Sequence, residues 1–240
     1  MNALTYNQTN PIWAGKLLGK SGKNMAQAGC YVTTTASILA GTYKKLSPFG
    51  AYLITPGDLC DLLNAQPDGF DLDGQLGWAA LHRLFPDVFI YGRAWTTNNM
   101  NPNVAKITVD KAVRDLRRAM LLGFTPGICV DLVNPNHVPD HIVVCTSLPD
   151  DLNCLMVMDP AFGDVVKFSD RYGDPMRGIM GYRIMVGDAP EKPYLSTDKV
   201  VVDGSFMASI IEGTWKASQV YQGVGMMTYP REILDSLMSG

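Results

Sequence analysis

Cys30 stands behind Gly29 and ahead of "YVTTTASILAG", a run of small, mostly uncharged residues that reads as a helix beginning at the cysteine. A thiol at a helix start sits against the partial positive charge of unpaired backbone N–H groups, which favour thiolate over thiol. A cysteine nucleophile also needs an imidazole as base, a group that orients the imidazole, and donors for the oxyanion. The chain has three histidines: His82, His137 and His141. His82 lies inside a helical pattern and suits a structural role. His137 sits in the loop "NPNHVPD". His141 opens the β-rich run "HIVVCTSL", where a side chain is held rigidly yet reaches a cleft. The next β-rich run ends "VMDP", and Asp159 there could orient the imidazole through its second nitrogen. Taken singly, a core thiol, a structural histidine and a turn-capping Asp before proline are the plainer readings. Together the three favour thiol-hydrolase chemistry over a buried core cysteine.

The elements that must position these residues fall into two groups. A helix is expected from Cys30 to Ala40, stopped by Gly41, although Thr33, Thr34 and Thr35 are poor helix formers in isolation. "TPGDLCDLLNAQ" has Thr55 as N-cap and Pro56 at the first helical position, with Leu59, Leu62 and Leu63 on one face. "GWAALHRLF" reads as a short helix and "VFIYG" as a strand. "TVDKAVRDLRRAMLLG" reads as a helix capped by Thr108, with an apolar stripe of Val113, Leu116, Met120 and Leu121. Beyond it, runs at 127–133, 141–148, 155–160, 164–169 and 180–186 read as strands separated by turn residues. Helices first and a mainly antiparallel sheet second give the α+β class.

Composition narrows the function classes. The 240 residues carry a net charge of −3 and no basic stripe, so nucleic-acid binding is not expected. The basic cluster "RDLRR" shares its helix with Asp110 and Asp115 and reads as a solvated face. No run of apolar residues is long enough to cross a membrane, and the N-terminus lacks a secretory signal pattern. Five scattered cysteines without a C-x-x-C pair argue against a disulfide framework or a zinc site, and four of them suit buried thiols. No metal or cofactor is expected. The chain reads as made in a reducing cytoplasm, without a signal peptide.

With these motifs in place, the chain resembles the papain-like cysteine peptidases, in the branch related to bacteriocin-leader (double-glycine) peptidases. The resemblance runs along most of residues 6–186. "YNQTNPIWAGKLLG" is similar to the opening of that branch, and "AGCYVTTTASILAG" to its nucleophile helix G-C-G-P-T-S-x-A-M-x-L. "ITPGDLCDLL" and "LGWAAL" stand where its next two helices stand. "LRRAMLLGFTPGICVDL", "DHIVVCTSL" and "VMDPAFGD" match its helix–strand unit, its histidine strand and its V-x-D-P.

The resemblance implies Cys30 as nucleophile, His141 as general base and then acid, and Asp159 as the orienting carboxylate. Gln8 matches the glutamine expected to donate to the oxyanion beside the Cys30 N–H, with Asn24 or Gln27 as alternatives. Tyr31 and Val32 replace the usual Gly-Pro, and Asp140 replaces the usual Gly before the histidine.

The implied fold is papain-like, a nucleophile helix packed on an antiparallel sheet over residues 1–188. A C-terminal appendage at 189–240 either wraps back onto the domain or, through 191–240, docks on a partner protein. The implied activity is peptide-bond cleavage, with peptidoglycan stem and cross-link peptides as the expected substrate. A chain of this kind without a signal would be virion-associated or exported by another route. The alternatives are a catalytically silent assembly protein of the same fold, and an acyltransferase or deamidase.

Overall fold

The computed structural model describes residues 4–94, 102–132 and 139–187, all within the compact unit Met1–Val200. The appendage expected at 189–240 and His137 lie outside the described residues.

Two successive helices lead into the cysteine. α1 (Met25–Ala28) opens with a capping box: Asn24 accepts from the Gln27 N–H at 3.1 Å, and the Gln27 side chain accepts from the Asn24 N–H at 3.0 Å. Gly29 separates it from α2 (Cys30–Gly41). A Cβ at Gly29 would stand 2.4 Å from the Met25 carbonyl oxygen, so only glycine lets the chain fold this tightly into the second helix.

Every residue of α2 except Tyr31 is buried, and Thr33 Oγ1 is buried without a hydrogen-bond partner among the described residues. Ser37 donates to the Thr33 carbonyl at 2.9 Å and Thr34 to the Ile142 carbonyl at 3.1 Å. The three threonines of low helix propensity are therefore accommodated by tertiary packing, which overrides propensity.

α3 (Pro56–Asn64) carries the expected Thr55 cap, reinforced into a box by Asp58. α4 (Trp78–Leu84) follows, then β1 (Val88–Ala94), α5 (Pro102–Leu121), β2 (Pro126–Val130) and β3 (His141–Ser147). β4 (Met156–Asp159), β5 (Asp164–Lys167), α6 (Phe168–Tyr172), α7 (Pro175–Gly178) and β6 (Gly181–Gly187) complete the order. The six strands pair antiparallel in the order β1-β6-β2-β3-β4-β5. The class is α+β.

Alternation along the strands divides the core. Val144, Met158 and Met185 face α2, α3 and α4, while Ile128, Val143, Val157, Tyr182 and Ile184 face α5 and the α6–α7 corner. The sheet is thus covered by helices on both faces. α2 approaches the sheet where β2 has no side chain. A Cβ at Gly127 would stand 2.8 Å from Ile142 and 3.5 Å from Thr34.

Three expectations are corrected. α5 begins at Pro102 rather than behind Thr108, since proline is tolerated in a first turn and Thr108 sits within the helix. Its buried stripe is Val109, Ala112, Val113, Leu116 and Ala119, with Leu121 40% exposed. Asp115 is not on a solvated face. It is buried, accepting from Tyr182 Oη at 2.7 Å and Lys111 Nζ at 2.9 Å. The run at 164–169 ends as a strand at Lys167 and turns into α6, with α7 following, neither of which the sequence pattern revealed.

Candidate active site

Antiparallel pairing puts the first residue of β3 beside the last residue of β4. His141 Nε2 and Asp159 Oδ1 are 2.9 Å apart, and both side chains are buried. With Nε2 engaged, Nδ1 is the ring nitrogen left for another partner. Cys30, at the first position of α2, lies against this ring. Its Sγ is 4.0 Å from the carbonyl of Asp140, the residue before His141, and its interaction with the imidazole contributes to the histidine's proton affinity. Cys30 is buried, with 5% of its surface exposed.

The far side of the carboxylate is held by groups that sequence reasoning missed. Asp159 Oδ2 accepts from Arg171 Nη1 at 2.8 Å and from Tyr172 Oη, both on α6. Oδ1 also accepts from the Ala161 N–H at 3.0 Å. Arg171 grips Asp164 through both Nη atoms, at 2.9 and 3.0 Å, and lies 4.1 Å over the Phe162 ring. The one signal available was "RY" following the final β-rich run by a few residues. Only the turn at α6 shows that it points back to Asp159.

Charge and burial oppose each other here. Burial works to lower the His141 pKa, but hydrogen bonds and charge at Asp159 and Cys30 outweigh it and push it up to about 9. For Asp159, burial works upward. The His141 contact outweighs it, aided by Tyr172 and Arg171, and brings the carboxyl down to about 2. Each partner thus favours the charged form of the other, the imidazolium at His141 and the carboxylate at Asp159.

Gln8 lies between the two ends of the site. Its N–H donates to the Pro160 carbonyl at 2.8 Å, just past Asp159, and its side-chain Nε2 donates to the Ala26 carbonyl at 3.0 Å, in the helix before Cys30. One carboxamide N–H is thus spent on α1 and a second remains, while Oε1 is buried without a partner. The oxygens of Asn24 and Gln27 are committed to the α1 capping box.

The Thr33 N–H makes the first backbone bond of α2, to Gly29 O at 2.9 Å. The N–H groups of Cys30, Tyr31 and Val32 precede it and have no acceptor within their own helix.

The departures from the family pattern are also placed. Tyr31 stacks edge-on against Trp78 with centroids 6.0 Å apart, and its hydroxyl lies 3.7 Å from Cys129 Sγ. The Asp140 carboxylate accepts from the Leu132 N–H at 2.8 Å and so closes the base of the loop before His141.

His82 is structural, its Nδ1 3.3 Å from the Val88 carbonyl. Cys60, Cys129 and Cys145 are buried, and Cys154 is exposed. Among the described residues no three His, Cys, Asp or Glu side chains cluster as metal ligands would, and no helix is long and apolar enough to cross a membrane. No protein-family model and no curated protein matches the chain.

Proposed function

We propose that the chain is a cysteine peptidase of papain-like kind, with Cys30 as nucleophile, His141 as general base and acid, and Asp159 as the orienting carboxylate. The observation that carries this reading is the meeting of a helix-start thiol with an imidazole whose other nitrogen is bound by a buried carboxylate.

In this mechanism the Cys30 sulfur attacks the carbonyl carbon of a peptide bond, having passed its proton to His141 Nδ1. The C–S bond forms and the carbonyl oxygen becomes an oxyanion. The Cys30 N–H and the second N–H of the Gln8 carboxamide are the nearby donors suited to it. The imidazolium gives its proton to the departing amine nitrogen as the C–N bond breaks. A water then loses a proton to His141 and attacks the thioester, which releases the acid and restores the thiol. Asp159 keeps the ring oriented and the imidazolium stable throughout.

The substrate proposal, stem and cross-link peptides of peptidoglycan, rests on the resemblance of "AGCYVTTTASILAG", "DHIVVCTSL" and "VMDPAFGD" to the family named above. Its test is incubation of wild type and Cys30→Ser with purified muropeptides, read by mass spectrometry. New cleavage products with wild type alone are expected. Intact muropeptides in both reactions overturn this substrate.

A second reading is a silent assembly protein on the same scaffold. The 5% exposure of Cys30 and the commitment of one Gln8 N–H to Ala26 favour it. An activity-based thiol probe separates the two, because a silent scaffold does not react faster at Cys30 than at an ordinary thiol.

A further inference from the structure

Arg183 is a half-buried guanidinium on the face of β6 that looks toward α2 and α4. Its Cα partners are Gly127 on β2 and Gly92 on β1, so neither neighbouring strand places a side chain beside it on that face. The guanidinium carbon lies 5.7 Å from the centre of the Trp78 ring, and Nη1 donates to the Tyr182 carbonyl at 2.8 Å. Among the described residues no carboxylate stands within ion-pair distance of it. An arginine presents five N–H donors in a planar fork, and among the described residues one of them, on Nη1, has a protein acceptor.

The position relative to Cys30 follows from the sheet. Cys129 is two residues along β2 from Gly127 on the same face, and it packs in one cluster with Cys30, Ile142 and Tyr31. One strand over and two residues along is about 8 Å between Cα atoms. Tyr31, next to Cys30, touches both Cys129 and Trp78. The positive charge of Arg183 is felt at both the Tyr31 hydroxyl and the Cys129 thiol. An extended peptide crossing Cys30 advances about 3.3 Å per residue, so a group one or two residues from the scissile bond comes within reach of the fork.

We propose that Arg183, near the Trp78 ring and Tyr31, forms a subsite that binds a carboxylate of the substrate within two residues of the scissile bond. The inference rests on Cys30 being the nucleophile and names the substrate class as acidic peptides. The guanidinium carbon lies within cation–π range of the Trp78 ring, and an arginine fork can hold a carboxylate in a bidentate contact.

The test is a fluorogenic hexapeptide library scanned one position at a time. Wild type is expected to prefer Glu or Asp at one position. Arg183→Gln is expected to lower the Glu-over-Gln ratio of kcat/KM by about 10- to 100-fold, so that the two matched peptides are cleaved at similar rates. Arg183→Glu is expected to prefer Lys, and Arg183→Lys to keep a weaker acidic preference, with circular dichroism checking that each variant is folded. No acidic preference at any position, or one that Arg183→Glu retains, overturns the subsite.

If wild type cleaves none of the library, labelled Glu and Gln peptides are titrated against Cys30→Ala by fluorescence anisotropy. Glu-selective binding that Arg183→Glu abolishes upholds the subsite while counting against hydrolysis. Equal binding of the two peptides overturns the subsite itself.

Discussion

His141 Nε2 and Asp159 Oδ1 stand 2.9 Å apart, at the first residue of one strand and the last residue of its antiparallel neighbour. The pair is buried, so water does not compete for either atom. That geometry fixes which ring nitrogen faces Cys30.

The thiols should separate by exposure and by their neighbours. Iodoacetamide is expected to label Cys30 and Cys154 in the folded chain, and to leave Cys60, Cys129 and Cys145 unmodified until unfolding, because the last three are fully buried. His141→Gln removes the base beside Cys30 and is expected to slow labelling there without changing Cys154. Peptide mapping by mass spectrometry reads both. Cys30→Ala is expected to lower kcat/KM by about 10³-fold or more with the fold retained.

Stability should depend on pH through the same pair. The folded-state pKa of His141 is raised from 6.5 to about 9, so its contribution is fully present below 6.5 and is lost as pH rises through about 9. That of Asp159 is lowered from 3.8 to about 2, so its contribution is present above 3.8 and is lost as pH falls through about 2. Tm measured across pH is expected to be highest between roughly pH 4 and 6.5. Activity is expected to fall on an alkaline limb near pH 9, as the imidazolium loses the proton it must give to the leaving amine. Asp159→Asn is expected to move that limb to lower pH.

Arg171 acts on the site through Asp159. Its guanidinium lowers the Asp159 pKa, so Arg171→Gln should raise it and shift the acid limb of the Tm profile to higher pH. Rotational freedom gained by the carboxylate is expected to lower kcat more than it raises KM. Arg171→Lys keeps the charge and is expected to restore most of the acid limb but not the bidentate hold on Asp164. A change confined to overall Tm, with both pH profiles unmoved, would assign Arg171 to stability alone.

Gly29 is a packing requirement for the nucleophile. Gly29→Ala places a Cβ 2.4 Å from the Met25 carbonyl oxygen, a backbone atom that cannot rotate away. The turn between α1 and α2 must open, which moves the Cys30 sulfur and its N–H together. A loss of about 10²-fold in kcat/KM is expected, with Tm lowered by a few degrees, measured by calorimetry and peptide cleavage.

The sequence by itself determined the local pieces. Gly29-Cys30 marked the start of the central helix, Thr55 and Pro56 the start of α3, and the spacing of two β-rich runs the hairpin that brings His141 to Asp159. Each depends on residues close along the chain, where capping, turn chemistry and strand alternation act directly. Tertiary structure alone decided what meets across distance. Cys30 comes to β3 because α2 is buried on nearly every side and docks where Gly127 leaves a gap. Arg171 reaches Asp159 because α6 turns back under the sheet, and Asp115 is drawn inside by Tyr182. Those contacts come from packing between faces that share no periodicity or spacing along the chain, so no pattern in the sequence could specify them.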